Sequence, residues 1–104
     1  MFSKKINPTF TATVPIPVPG QAPDDVDFQF HYRDAKQFDA LVEAINDKTK
    51  TVQDVCREIV AGWSHPAVTF PAEKLEECFV SFPGSTLAIW VTYRNALFEG
   101  KRKN

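Results

Sequence analysis

Residues 14–20 read VPIPVPG, so proline occupies every second position of a segment that otherwise has the composition of a strand. Proline has no backbone N–H, and along a strand the amides of successive residues point to opposite sides. Pro15 and Pro17 therefore withhold donors from one and the same edge, while the even-numbered residues keep theirs for a partner on the other side. The segment can pair along one side only. This fits a protein that associates through chosen surfaces and has one strand edge closed, and it fits equally an ordinary edge strand in a monomer.

The alternation extends upstream. In TFTATVPIPV, residues 9–18, Phe10, Ala12, Val14, Ile16 and Val18 share one face and Thr11, Thr13, Pro15 and Pro17 the other. PGQAPDD turns the chain, and VDFQFHY alternates again with Val26, Phe28, Phe30 and Tyr32 inward. The result is a β-hairpin over residues 9–32 with a loop longer than the tight two-residue kind. A hairpin is marginal by itself, so its apolar face must rest on helices or on the hairpin of a second copy.

From Asp34 the period changes to that of a helix. Asp34 with Gln37 forms a capping box, and Phe38, Leu41, Val42 and Ile45 follow at helical spacing to about Asp47. After the polar DKTK, Thr51 and Asp54 open a second helix with the apolar set Val52, Val55, Cys56, Ile59, Val60 and Trp63, which Gly62 is placed to end. Pro66 and Pro71 exclude a continuous helix through WSHPAVTFPAEK, and Pro71 suits the first turn of a third helix lined by Ala72, Leu75, Cys78, Phe79 and Phe82. Phe82, Pro83 and Gly84 make a corner, after which Ser85 is expected to cap a fourth helix. There Leu87, Trp90, Val91, Leu97 and Phe98 form one stripe, widened by Ile89, Tyr93 and Ala96. So broad an apolar surface exceeds one partner helix: either this helix is central, or part of it meets another molecule. The expected architecture is α+β, a single domain over residues 1–104 with the hairpin at 9–32, about four short helices at 34–99 and a basic tail at 100–104.

The 104 residues suffice for one modest core. Thirteen of them are aromatic, nine of these Phe, ample for packing the hairpin. No run approaches the length of a membrane span, and MFSKKINPTF lacks the apolar stretch of a signal peptide, so a cytoplasmic protein is expected. Net charge is −1, but Lys4, Lys5, Lys101, Arg102 and Lys103 lie at the ends; without those five, 7 basic residues face 13 acidic ones. Basic tips on an acidic body suggest head-to-tail attraction, or simply solvated termini.

Catalytic chemistry is hard to place. His31 and His65 have no motif around them, and there is no Gly-rich phosphate loop, no H-E-x-x-H and no G-x-S-x-G. Cys56 and Cys78 fall on apolar helix faces without the close spacing of zinc ligands, which reads as two buried thiols, with a redox pair as the lesser alternative. No metal or cofactor is expected. Nor do the basic residues line one helix face, since the fourth helix carries only Arg94 and the second only Arg57.

Taken in order, NPTFTATVPIPVPG, VDFQFHYRD, Gly62-Trp63, Phe82-Pro83-Gly84 leading into AIWVTYRNAL, and a Lys/Arg-Asn tail resemble the tail assembly chaperones of long-tailed phages and prophages over nearly the whole chain. The resemblance implies a non-enzymatic protein of tail construction, absent from the finished virion, that coats the tape-measure protein, recruits tail-tube subunits and self-associates. It also implies that a chain ending at EGKRKN is the short form of a product many members extend by a programmed frameshift. Residue types point to Trp63, Phe70, Trp90, Tyr93 and Phe98 as protein-binding candidates, because Trp and Tyr dominate interface hot spots, although each also fits a core position. Ile16 and Val18 are candidates on the hairpin, by its face and not its edge. The other classes open are a small nucleic-acid-associated regulator using the basic ends and a minor structural component of a tail or head.

Overall fold

The computed structural model describes residues 6–64 and 72–99. In chain order these form β1 (Thr9–Ile16), β2 (Asp24–His31), α1 (Ala35–Asn46), α2 (Val52–Ile59), β3 (Val60–Ser64), α3 (Ala72–Ser81) and α4 (Ser85–Glu99). The fold is α+β, a hairpin followed by four helices, as the alternation and periodicity predict.

β1 and β2 pair antiparallel with Val14 opposite Val26 and Thr9 opposite His31. Just beyond the ladder, the Tyr32 amide donates to the Pro8 carbonyl at 2.9 Å, so it is the even-numbered residues whose amides face the partner strand. Pro15 accordingly turns its missing donor toward the outer edge, as the sequence requires. The Gln21 amide donates to the Val18 carbonyl at 3.0 Å, closing a turn with Pro19 and Gly20 as its central residues; Gly20 has φ +76°, the left-handed value that the third residue of a type II turn requires.

One element departs from the expected order. Residues 60–64 form a strand where the apolar spacing of Val52 to Trp63 predicts continued helix. The helix stops at Ile59 because Val60 is extended, with φ −82° and ψ 119°, and the chain pairs antiparallel with the second edge of β2, giving a sheet of order β1-β2-β3. The odd-numbered amides of β2 need partners on that side, Val60 and Trp63 suit a strand, and Gly62 disfavours a helix interior. Between Gln29 and Phe30 the register slips by one residue, leaving Ala61 as the extra residue of a bulge.

The even-numbered face of the sheet carries the core. Val14, Ile16, Val26, Phe28 and Phe30 are buried against Val55, Cys56 and Ile59 of α2, Leu75 and Phe79 of α3, and Ile89 and Tyr93 of α4. The apolar face of the hairpin is thus covered by this chain's own helices, so Ile16, 3% exposed, is a core residue and no face-on contact is left to it. Helix α1 begins with the expected capping box: the Gln37 amide donates to Asp34 Oδ1 at 2.8 Å and the Asp34 amide to Gln37 Oε1 at 2.9 Å. Thr51 and Asp54 cap α2 in the same reciprocal way. Arg57 joins α2 to α3, donating from Nε and Nη2 to the two oxygens of Glu76 at 2.6 and 2.8 Å while its guanidinium lies 5.6 Å from the Phe79 ring centre.

Ser85 is not the cap of α4. It is the first helical residue and fully buried, and its Oγ donates back to the Cys78 carbonyl at 3.2 Å, tying α4 to the last turn of α3. The corner before it is pressed against the end of β1: a Cβ at Gly84 would lie 3.0 Å from Pro17 Cγ and 3.2 Å from Pro17 Cβ. The ring is held by its own backbone and cannot swing aside. Gly84→Ala should therefore lower unfolding stability by about 1–3 kcal/mol, read from urea midpoints, despite removing glycine's backbone entropy cost; a neutral or stabilising result would show that the corner yields.

Candidate functional site

Helix α4 is apolar on nearly every side, and the structure divides its surface in two. Ser85, Ile89 and Tyr93, spaced by four residues, are fully buried. Leu87, Val91 and Phe98, which recur at a spacing of four and seven, are 62%, 44% and 60% exposed. The expected stripe is therefore not one surface: its Leu87, Val91 and Phe98 face outward, its Trp90 and Leu97 are half-buried flanks, and two of the three residues expected only to widen it, Ile89 and Tyr93, form the anchor while Ala96 is half-buried. Arg94 lies within the outward stripe, exposed, with Nη1 3.3 Å from Asn95 Oδ1.

Rings connect the anchor to the outward side. Trp63 meets Phe28 edge-on at 5.4 Å, Phe28 stacks with Phe30 at 5.9 Å, and Phe30 lies 5.2 Å from Tyr93. Tyr93 is 6.5 Å from Phe38, which stacks on Trp90 at 5.3 Å and meets Phe98 edge-on at 5.2 Å. Four of the candidate residues thus belong to one run of aromatic contacts that begins in the sheet and ends at the surface. Such contacts hold rings in fixed orientation. Phe98 is consequently an exposed ring with a rigid backing.

The Tyr93 hydroxyl donates to the His31 carbonyl at 2.9 Å, and burial pushes its pKa up to about 12. With no exposed area, Tyr93 cannot meet a partner in the folded chain. Ile16 and Trp63 come together elsewhere, with Phe28, Phe82 and Cys78, around an open cleft of about 300 Å³ between the sheet and α3. Val18 is half-buried at the start of the turn, and Phe70, like His65, lies outside the described residues.

Neither cysteine offers a reactive thiolate: burial raises the pKa of Cys56 to about 12 and raises that of Cys78 as well. Among the described residues, no three or more His, Cys, Asp or Glu side chains gather as metal ligands, and no helix is long and apolar enough to cross a membrane. What the described surface does present is apolar side chains on a rigid helix.

A family model described as phage tail assembly chaperone matches residues 1–104, the whole length of the chain. The chain belongs to the phage tail assembly chaperone family. Curated proteins and solved structures yield no match. In this tail assembly chaperone the Leu87, Val91 and Phe98 surface went unseen as a separate unit in the sequence, because a helix apolar all round carries no period from which to choose its inward side; the Tyr93 hydroxyl, which requires a buried acceptor, is the one signal that could have chosen it.

Tyr93 also sets a pH dependence. Its pKa is raised in the folded chain from an ordinary value of 10.0 to about 12, so the stability attached to the neutral hydroxyl is fully present below pH 10 and is lost as pH climbs toward 12. Tyr93→Phe should cost about 1 kcal/mol at neutral pH through the lost hydrogen bond, and should remove that part of the alkaline decline. Urea unfolding at pH 7 and across pH 9–11.5 measures both, and an unchanged alkaline slope in the variant would assign the decline to other groups.

Proposed function

We propose that this tail assembly chaperone acts without catalysis, in the cytoplasm of the bacterial host, by holding the tape-measure protein and delivering tail-tube subunits to it. The observation that supports the reading is the outward stripe of α4: Leu87, Val91 and Phe98 exposed on a helix whose opposite side is fixed by Ile89 and Tyr93. Exposed apolar side chains at helical spacing suit an amphipathic helix laid alongside, and a tape-measure protein is a long helical chain that must be kept from aggregating. Rigid backing lowers the conformational entropy that binding would otherwise cost. Trp90 flanks the stripe and is a partner contact, whereas Trp63 belongs to the sheet side of the molecule and would take part through the cleft that it lines.

Self-association belongs to the same reading, since a long partner is covered by many copies. Nucleic-acid binding draws less support. Arg57, the cation of α2, is engaged by Asp54 at 2.8 Å and by both oxygens of Glu76, which leaves no described helix with a row of free cations aimed at phosphates.

The paired substitution Leu87→Glu with Val91→Glu alters only exposed positions of a helix and should move the melting temperature by no more than a few degrees. Co-expressed with the tape-measure protein, it should retain at least tenfold less of that protein than the unaltered chain does and should reduce the yield of tailed particles. Equal retention of the tape-measure protein would show that α4 is not the binding surface.

A further inference from the structure

β1 is an edge strand only half closed. The amides of Pro15 and Pro17 are missing from its outer side, but the N–H and C=O of Thr9, Thr11 and Thr13 point to that same side and have no backbone partner among the described residues. No charged side chain lies on β1 to guard this stretch. Alongside it runs an open groove of about 1240 Å³, walled on one side by Thr9 to Thr13 and on the other by Thr92, Asn95 and Ala96 of α4.

We propose that this groove receives an extended, basic segment of a partner polypeptide, which adds to β1 as a fourth strand over residues 9–13 and is stopped by Pro15. Strand addition takes its affinity from main-chain hydrogen bonds and its selectivity from alternate side chains. Among the described residues, the ionisable side chains at this groove include two carboxylates, Asp27 and Glu99, and no lysine or arginine. Asp27 lies on the threonine face of the sheet, where it accepts from Thr13 Oγ1 at 2.6 Å. Long cationic side chains on that face of an added strand reach Asp27 across Thr13, and the intervening residues face Asn95 and Ala96, which leave room for small or β-branched side chains.

A second copy of this chain fits the edge poorly. Its β1 would arrive antiparallel with its own α4 on the same face of the sheet, and α4 packs across β1. Neighbouring strands lie about 5 Å apart, whereas packed helices need about 8–10 Å. A segment without an attached helix meets no such obstacle.

The probe is a fluorescein-labelled hexapeptide of alternating lysine and valine, with alternating glutamate and valine as the control, titrated against the full chain by fluorescence anisotropy. The basic peptide should bind, and the acidic one at least tenfold more weakly. Thr11→Pro removes the central outward amide at a position of the same class as Pro15, so the β1–β2 ladder is preserved; it should weaken binding at least tenfold, while Asp27→Asn should weaken it several-fold and flatten its salt dependence. N-methylation of alternate peptide amides repeats the edge test on unaltered protein, in case the proline variant does not fold. Equal binding of both peptides, or indifference to Thr11→Pro and to N-methylation, overturns the proposal. So does a concentration-dependent dimer that Thr11→Pro abolishes while the basic peptide fails to bind. None of these readouts involves the outward stripe of α4, so this proposal and the tape-measure reading stand or fall separately.

Discussion

A single side chain, Tyr93, decides how the helical half of the molecule meets the sheet. Its hydroxyl bonds the His31 carbonyl at the end of β2, and its ring lies within 6.5 Å of Phe10, Phe30, Phe38 and Trp90. A tyrosine in a core brings a polar atom that must find an acceptor, which makes it more demanding of position than phenylalanine would be. On a helix whose circumference is apolar almost throughout, that demand sets the rotation about the axis. Once Tyr93 and Ile89 point inward, Leu87, Val91 and Phe98 have no choice but to point out. The exposed surface is thus a consequence of a buried hydrogen bond.

Much of this arrangement is legible in the chain itself, and the parts that are not share a cause. Strict alternation over residues 9–16 and 26–30 marks the hairpin because a half-buried strand admits no other pattern. Asp34–Gln37 and Thr51–Asp54 mark two helix starts, since a capping box satisfies otherwise orphaned amides locally. Where neighbours in sequence determine the structure, reading the sequence suffices. Residues 60–64 obey a different master: their spacing continues the helix of α2, but the open edge of β2, thirty residues earlier, draws them into a strand. Gly62 and the β-branched Val60 were the local hints, and they do not outweigh the period. The same holds for α4, where the choice of inward face depends on an acceptor 62 residues away in sequence.

The two surfaces described have contrasting physics. The outer stripe of α4 is apolar and rigid, and binding to a surface of that kind draws on burial of side chains and discriminates weakly among helices that present leucine and phenylalanine. The open part of β1 is polar, and strand addition at an edge of that kind draws on main-chain hydrogen bonds over a length that Pro15 limits. In the proposed role, covering a long chain at many points while admitting a second, specific component, keeping these modes apart is an advantage. Their separation here follows from the sheet order, because β3 occupies one edge of β2 and leaves β1 as the open side next to α4.

Pro17 stands at the meeting point of these features. A side chain at Gly84 would meet its ring at 3.0 Å, so the second proline of the closed edge also abuts the bend between α3 and α4. Replacing this proline would leave the edge closed at Pro15 but would take away a surface against which that bend rests. The two positions are therefore coupled in one direction: a side chain at 84 calls for a smaller residue at 17, and such paired variation is the trace this contact should leave among related chains.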